Sequence, residues 1–510
     1  MQGERTILEL LAPSFAAHPD KIAVEDPSHA LTYAELGSLA KRLGAALLEK
    51  LPGSGQTPVM VFADKSCEAL VMLLGCLCGG HPYVPMDTKT PADRLQAIAD
   101  TLGTSVMLCS EADTAAVREL GWSGPLYIYE ELLACDADLS LTEEAAARAL
   151  DTDLAYILFT SGSTGVPKGV AIRHRSLLDY IIHATDLVGI RESDVVGNQT
   201  PFYADMSLKD IYMTLAKGGT LCLIPQKYFM TPKKLLAYLD ERRVTFLAWV
   251  PTAYRIIAQF DALSKLRPAS LRRFVFSGEV MPIPVFRYWK RFYPEAGYAQ
   301  LYGPTEITGA CTYMEVTRDY EDGEQIPIGR PFPNTGISLR DENGAEVQPG
   351  MTGEITVFGS CLAAGYYRNP EKTAAAFVPD PLSPCSSLMY RTGDLAYRNE
   401  DGDLVFVSRR DWQIKHAGRR IELGEIDAAA MSLDGVAAAC AVHNRARDII
   451  GLYYIGEADT KTLLAALKQK LPPYMVPASL MKETALPMLQ SGKTDRKRLD
   501  TMFNTERGTL

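Results

Sequence analysis

The chain is predicted to be an α/β protein. A large N-terminal domain has parallel-type sheets flanked by helices plus a β-rich subdomain, and a small α+β domain follows at the C-terminus. Three observations carry this expectation. Short β-branched and aromatic runs alternate with amphipathic segments as far as about Pro327, the pattern of strands joined by helical crossovers. Beyond Pro327, strand-like runs are separated by Asn, Asp and Gly turns. A boundary near Ser408–Lys415 then precedes roughly 100 residues with their own strands and helices, the size of a small domain.

In chain order, apolar spacing predicts helices over Ala34–Lys50, Ala69–Leu77, Lys209–Ala216 and Lys233–Arg243. Strands are expected at Pro58–Phe62, Ser105–Cys109, Leu154–Leu158, Gly219–Ile224 and Arg273–Phe276, where branched and aromatic side chains suit a pleated, buried surface. The β-rich stretch contributes Gly336–Leu339, Gly353–Phe358 and Asp403–Val407. In the C-terminal piece, strands are expected at Ala437–Val442 and Gly451–Ile455, with helices at Gly424–Leu433 and Lys461–Lys470. The domains are therefore set at 1–410 and 411–510, although 510 residues alone lead to an expectation of about three or four domain-sized units.

With 47% hydrophobic and 22% charged residues, the composition is that of an ordinary soluble protein. A net charge of −10 speaks against a nucleic-acid surface. Arg496-Lys497-Arg498 is a local basic cluster that suits either solvent or an acidic partner. Ten cysteines are scattered without a C-x-x-C pair, and the seven histidines do not group near them. That speaks against a zinc site or a disulfide framework and for reduced thiols in a cytoplasmic protein. The N-terminus has no signal-peptide pattern, and the longest apolar run, Ala69–Cys78, is too short to span a bilayer, so no membrane association is expected.

The densest chemistry lies at Phe159–Gly169, where Thr160, Ser161, Gly162, Ser163, Thr164, Gly165 and Lys168 follow a strand-like run. Bare backbone N–H groups, rotatable hydroxyls and one cation on a long stem suit a polyphosphate. The segment is not a Walker loop, because Pro167 stands before the lysine and Gly169 after it. A flexible Gly/Ser loop would have a similar composition, but not this order with its lysine.

Further motifs recur along the chain: Leu31-Thr-Tyr-Ala-Glu-Leu, Gly79-Gly-His-Pro-Tyr-Val-Pro-Met-Asp, Tyr302-Gly-Pro-Thr-Glu and Gly365-Tyr-Tyr-Arg-Asn-Pro. Tyr390-Arg-Thr-Gly-Asp, Arg419-Arg-Ile-Glu-Leu-Gly-Glu-Ile, Leu471-Pro-Pro-Tyr-Met-Val-Pro and Gly492-Lys-Thr-Asp-Arg-Lys complete the series. Together they closely resemble the adenylate-forming superfamily of acyl-CoA synthetases, luciferases and nonribosomal peptide synthetase adenylation domains. The resemblance covers essentially the whole chain. It is strongest to the amino-acid-activating branch, and Ser277-Gly-Glu-Val-Met-Pro together with the length is similar to stand-alone D-alanine:carrier-protein ligases.

The resemblance implies two half-reactions at one site, with ATP and Mg²⁺. A carboxylate first gives an acyl-adenylate and pyrophosphate, and a carrier-protein thiol then displaces AMP. It assigns Lys168 and its loop to the β/γ-phosphates, Thr305 to the α-phosphate and Glu306 to Mg²⁺. Tyr302 would stack on adenine and Gln300 would meet its edge, with Gly278, Glu279 and Gly303 also at the nucleotide. Asp394 would accept the ribose hydroxyls with Arg409 nearby. Lys493 would bridge the substrate carboxylate and the α-phosphate. Read alone, Tyr302 could be core, Asp394 a turn residue and Glu306 a helix cap. The small domain would be mobile about a hinge at Asp411, with Lys415 and Gly418 on the face used in the second step. Ser408 departs from the glycine usual in that motif.

By the same resemblance, Asp205 would bind the substrate ammonium, though it could also be a helix N-cap with Ser207. The side-chain pocket would comprise Met206, Lys209, Ala248, Val275, Ser277, Leu301, Gly309 and Ala310, mostly small or apolar, which suits a small amino acid. Lys209 is expected to point to solvent from an amphipathic helix, the alternative being a partner for a polar substrate group. No condensation module precedes Met1 and no phosphopantetheine-serine module follows Lys493, so the acceptor is expected to be a separate carrier protein or free coenzyme A, and the enzyme a monomer. An acyl- or aryl-CoA ligase is the competing enzyme reading, and a catalytically silent nucleotide-binding scaffold the competing non-enzyme one.

Overall fold

The computed structural model describes residues 3–51, 56–103, 106–161, 167–385, 387–410, 412–416, 418–445, 447–488 and 494–506. The chain divides into a larger unit, residues 1–88, 104–158 and 170–410, and a smaller one, residues 89–103, 159–169 and 411–510.

Three sheets belong to the larger unit, except that the strand ends at residues 159–160 and 168–169 are grouped with the smaller one. The widest runs in the order Arg330–Pro331, Thr312–Glu315, Gly297–Tyr302, Arg273–Ser277, Phe246–Trp249, Val195–Asn198, Thr220–Leu223, Ile22–Glu25 and Ala30–Thr32. From Gly297–Tyr302 through Ile22–Glu25 the neighbours are parallel, and the strands at either margin are antiparallel. After Val195–Asn198 the chain passes to Thr220–Leu223 on one side, then returns to Phe246–Trp249 on the other. This reversal makes the carboxyl end of Val195–Asn198 a topological switch point, where open α/β sheets form their ligand crevices.

Strand alternation separates the two faces of this sheet. Leu247, Trp249, Phe274, Phe276 and Tyr298 pack in one core with Tyr254, Phe286 and Trp289 from helices Pro251–Gln259 and Ile283–Phe292. Ala248, Val275, Ala299 and Leu301 belong to the other core, with Leu178, Ile181, Ile211 and Tyr212.

A second sheet has the order Gly365–Tyr366, Lys168–Arg173, Leu154–Thr160, Tyr83–Met86, Val59–Phe62, Met107–Cys109 and Leu126–Ile128. Helices Tyr33–Lys50 and Cys67–Cys78 accompany it. Thr32 starts the first of these with a capping box: its hydroxyl accepts the Glu35 N–H, and the Glu35 carboxylate accepts the Thr32 N–H. Ser66 caps the second at the Ala69 N–H. The third sheet is antiparallel, built from Thr335–Arg340, Gly353–Gly359, Phe377–Pro379, Leu388–Arg398 and Leu404–Arg409, and it is the β-rich region. The length-based expectation of three or four units is corrected to two. One continuous apolar core, running from Ile7 and Val59 through Val275 to Ile355 and Leu404, joins all three sheets.

In the smaller unit, an antiparallel pair, Gln413–His416 with Arg419–Glu422, leads into helix Leu423–Met431. A three-stranded sheet follows, of Val436–Asn444, Ile449–Gly456 and Ser479–Lys482, with helices Thr460–Lys470 and Arg496–Glu506. Ile421, Ile426, Leu452 and Leu467 fill one side, and Val442, Tyr453, Leu499 and Phe503 the other. Among the described residues, no helix is long and apolar enough to cross a membrane, and all ten cysteines are free thiols.

One helix differs from its sequence pattern. The segment expected over Lys209–Ala216 begins at Met206, passes through a π-helical turn at Lys209–Met213 and finishes as α-helix at Thr214–Lys217. Such single π turns gather at functional sites, and this one follows directly from the switch-point connection.

Candidate functional site

The connection leaving the switch-point strand carries Asp205, which immediately precedes the helix at Met206–Leu208. Its side chain makes no cap bond, so the N-cap reading is corrected. Instead, the Thr305 hydroxyl donates to the Asp205 carboxylate at 2.7 Å. The charge of Asp205 adds to burial in raising the phenol pKa of both Tyr156 and Tyr180. The Tyr156 hydroxyl is buried and has no hydrogen-bond partner among the described residues.

Thr305 and Glu306 sit in a short 3₁₀ turn following strand Gly297–Tyr302. Glu306 is fully buried, and the Tyr366 hydroxyl donates to its carboxylate at 2.8 Å, so it is not a helix cap. On the same strand, Tyr302 donates its hydroxyl to Asp394 at 2.5 Å, and Arg409 donates to the other oxygen of that carboxylate. Asp394 lies within strand Leu388–Arg398 and is 2% exposed, so it is not a turn residue. Burial, reinforced by the Asp394 charge, raises the Tyr302 phenol well above its ordinary pKa and keeps it a donor. An ionised acid at 2% exposure is sustainable because a guanidinium and a hydroxyl satisfy it.

Strand register gathers the side-chain residues. Ala248 pairs with Val275, and Ser277 with Leu301, so all four share one face of the sheet. Gly278 has φ +90°, and a Cβ there would come within 2.8 Å of the Met206 sulfur, so the glycine makes room for that methionine. Gly303 is held against Gly309 and Ala310: a Cβ at 303 would lie 2.6 Å from the Ala310 Cα. Gln300 is 2% exposed and its amide oxygen has no hydrogen-bond partner among the described residues, leaving a buried acceptor on offer. One carboxylate oxygen of Glu279 accepts the N–H and the hydroxyl of Thr252 at the start of helix Pro251–Gln259.

The solvent-facing expectation for Lys209 is corrected. Its side chain is 2% exposed, donates to the Met206 carbonyl at 2.7 Å and lies 3.6 Å from Asp210. The π turn and the Asp210 carboxylate explain the inward course, because an ammonium enters a core only with a partner. Asn198 donates to the other Asp210 oxygen, and Lys65 donates to the carbonyls of Asn198 and Gln199. Burial pushes the Lys65 ammonium down to about 7. Sequence reasoning did not reach Lys65, Tyr156, Tyr180 or Tyr366. Only Tyr366 carried a signal, its place in the Gly365-Tyr-Tyr-Arg-Asn-Pro motif.

Lys168, Ser161 and Thr160 belong to the smaller unit. The Ser161 hydroxyl donates to the Arg420 carbonyl at 3.0 Å and accepts the Glu422 N–H at 3.1 Å. Lys168 lies 3.8 Å from the Glu422 carboxylate, which also accepts from Gln413. The Thr160 hydroxyl is buried without a partner among the described residues. Lys415 and Gly418 lie in and beside the strand pair Gln413–His416 and Arg419–Glu422. Gly162, Ser163, Thr164, Gly165, Asp411 and Lys493 lie outside the described residues.

Residues 11–367 match the family model for AMP-binding enzymes. The D-alanine--D-alanyl carrier protein ligase of Bacillus licheniformis is 32% identical over 97% of this chain and 98% of its own length. Tyrocidine synthase 1 of Brevibacillus parabrevis is also 32% identical over 97% of this chain, which spans only 45% of that protein. Among solved structures, holo-PA1221, a nonribosomal peptide synthetase protein containing adenylation and PCP domains, aligns with a TM-score of 0.84 at 27% identity, covering 97% of this chain and 84% of its own.

Proposed function

The chain belongs to the AMP-binding enzyme family, and we propose that it is an adenylate-forming ligase that activates an amino acid with ATP and passes the aminoacyl group to the phosphopantetheine thiol of a separate carrier protein. The observation that carries the amino-acid reading is Asp205: a carboxylate at the switch point, oriented by Thr305, which is itself beside the buried Glu306. An ammonium entering such a site needs a fixed anion to offset its desolvation. A plain fatty or aryl acid has no use for one.

In the first half-reaction a substrate carboxylate oxygen forms a bond to the α-phosphorus of ATP, and the bond to the β-phosphate oxygen breaks as pyrophosphate leaves. The protein's contribution is alignment and charge. The nucleotide fits what is present: Gln300 offers a buried acceptor to the adenine edge, the glycine at 303 keeps the backbone bare, and the Asp394–Arg409 pair can share its carboxylate with ribose hydroxyls. Glu306 is the residue to hold Mg²⁺, whose charge would neutralise phosphate oxygens. Tyr366 orients the Glu306 carboxylate, and Thr305 bridges the ammonium-binding and phosphate-binding ends. In the second half-reaction the carrier thiolate attacks the acyl carbon and AMP departs.

Lys493 is the proposed cation at the reacting carboxylate, and Asp411 the proposed hinge between domains 1–410 and 411–510. A charge pair at about 4 Å in an effective dielectric near 20 is worth roughly 4 kcal/mol. Lys493→Ala is therefore expected to lower pyrophosphate exchange on the order of a thousandfold while still transferring a preformed adenylate. Near-normal exchange would remove Lys493 from this role. Asp411→Pro is expected to slow thioester formation more than adenylation, and equal losses would count against the hinge. The reading as a whole is tested by pyrophosphate exchange across L- and D-amino acids and non-amino carboxylic acids. Exchange confined to small amino acids supports it, whereas preference for an acid without an ammonium overturns it in favour of an acyl- or aryl-CoA ligase.

A further inference from the structure

Two histidines and an aspartate converge in the smaller unit, His416 being 32 residues in sequence from Asp448. His416 ends strand Gln413–His416, His443 lies near the end of strand Val436–Asn444, and Asp448 sits in the turn before Ile449–Gly456. His416 Nδ1 and His443 Nε2 each lie 2.9 Å from the same Asp448 oxygen, and the three ligand atoms fall within 4.8 Å of one another. We propose that His416, His443 and Asp448 form a binding site for one divalent transition-metal ion of the zinc type, which staples the paired strands Gln413–His416 and Arg419–Glu422 to the turn at Arg447 and Asp448.

The donor set selects the ion. Two imidazoles and one carboxylate suit Zn²⁺, Co²⁺ or Ni²⁺, whereas Mg²⁺ and Ca²⁺ require oxygen ligands. The site is thus chemically separate from any Mg²⁺ used with a nucleotide. Its side chains are partly enclosed, with exposures of 20% for His416, 9% for His443 and 13% for Asp448, so remaining coordination positions can be filled by water. Asp448 occupies the left-handed region at φ +52°, a conformation a non-glycine residue adopts at some cost, and it is this turn that brings the carboxylate to both rings. The supporting shell is also built. The His443 N–H donates to Asp500 at 3.3 Å and its carbonyl accepts from Asn504 at 3.1 Å, fixing the strand against helix Arg496–Glu506.

A second cluster, of one histidine and two carboxylates, lacks these properties. Asp26, His29 and Glu68 also lie close together, but Asp26 already accepts the N–H groups of Ser28, His29 and Cys67. His29 is 62% exposed. Those oxygens are committed to holding a turn, and no metal is assigned there.

The staple holds the strand pair that carries Lys415 and leads to Gly418, so metal occupancy would stiffen this part of the smaller unit whatever the substrate. The test uses the full chain, stripped with a chelator and dialysed against micromolar Zn²⁺ with millimolar Mg²⁺ present, and in parallel titrated with Co²⁺ while its visible absorption is followed. One equivalent of Zn²⁺ per chain is expected, with a Co²⁺ spectrum showing nitrogen ligation and a higher melting temperature with Zn²⁺. His416→Asn and Asp448→Asn, checked for fold by circular dichroism, should each bind at least as much more weakly as the roughly 10–100-fold seen when an outer-shell partner is lost. Neither should melt higher with Zn²⁺. A Cys385→Ser variant, which removes the exposed thiol, should bind as the parent does. Less than one equivalent in the parent, binding undiminished in His416→Asn and Asp448→Asn, or loss in Cys385→Ser would each overturn the assignment.

Discussion

In the larger unit three acids of the candidate site are each met by a hydroxyl from another segment: Asp205 by Thr305, Glu306 by Tyr366 and Asp394 by Tyr302, with Arg409 added at the last. In the smaller unit the corresponding contact sets charge against charge, Lys168 facing Glu422 at 3.8 Å. The first arrangement is short, buried and neutral-to-ionic. Hydroxyls orient a carboxylate without cancelling its charge, so it stays available to a cation or a metal without reorganisation. The second is longer, and its lysine is already neutralised. Such a lysine can serve a phosphate only by exchanging partners. One unit therefore holds a prepared template, and the other a cation in reserve.

The sharpest way to break this contrast is Asp205→Asn. It keeps an acceptor for Thr305 but removes the charge, and leaving an ammonium unpaired in a desolvated site costs roughly 3–5 kcal/mol. Amino-acid-dependent pyrophosphate exchange should fall about a hundred- to a thousandfold in kcat/KM with little change in melting temperature. A loss below tenfold would mean that the template does not read the ammonium.

Next in size is an acid-sensitive point confined to the larger unit. Burial pushes the His174 imidazole, which accepts the Ile7 N–H, down to about 4 from an ordinary value of 6.5. Between those values the unfolded chain takes up a proton that the folded one refuses. Stability should therefore fall as pH drops from 6.5 to 4, by up to about 3 kcal/mol, and level off below. Asp448, in the smaller unit, is held well below the usual carboxylate range by His416 and His443 and keeps its charge through that window. Of the four tryptophans, Trp122, Trp249 and Trp289 lie in the larger unit and Trp412 in the smaller. Melting followed in single-tryptophan variants should show the pH slope on the larger-unit reporters, and His174→Gln should flatten it. An unchanged slope in that variant would assign the sensitivity elsewhere.

The smallest effect is expected from Glu422→Gln, which removes the anion facing Lys168. The pair is separated by 3.8 Å and its side chains are only 11% and 8% exposed, so the KM for ATP should fall by no more than about fivefold, with little dependence on salt. A rise in KM would show that Glu422 positions Lys168 for the nucleotide instead of restraining it.

Much of this was legible in the chain because it is written locally. The apolar spacing of Ala34–Lys50 and Lys233–Arg243 marks helices that the structure runs from Tyr33 to Lys50 and from Pro232 to Glu241. The branched runs at Arg273 and Gly353 mark strands in the same places. What escaped depends on distance or on one extra residue. The π turn at Lys209–Met213 leaves an amphipathic pattern almost unaltered yet turns Lys209 inward, onto Asp210. Lys65 is an unremarkable residue until the Asn198 and Gln199 carbonyls close over it. His416 and His443 lie on different strands, and no local pattern relates them. Glu279 adds a contact its motif did not announce, one carboxylate oxygen accepting the N–H and the hydroxyl of Thr252.

The pairing of Ala248 with Val275, and of Ser277 with Leu301, has an evolutionary corollary. The spacing between these positions is dictated by main-chain hydrogen bonds, which are indifferent to the side chains they carry. On the proposed reading of these positions as the side-chain pocket, selectivity would drift by single codon changes without renegotiating the scaffold, each methylene gained or lost shifting preference by roughly 1–3 kcal/mol. Such a sheet behaves like a keyboard of fixed pitch, on which new substrates are reached by changing keys while the frame stays the same.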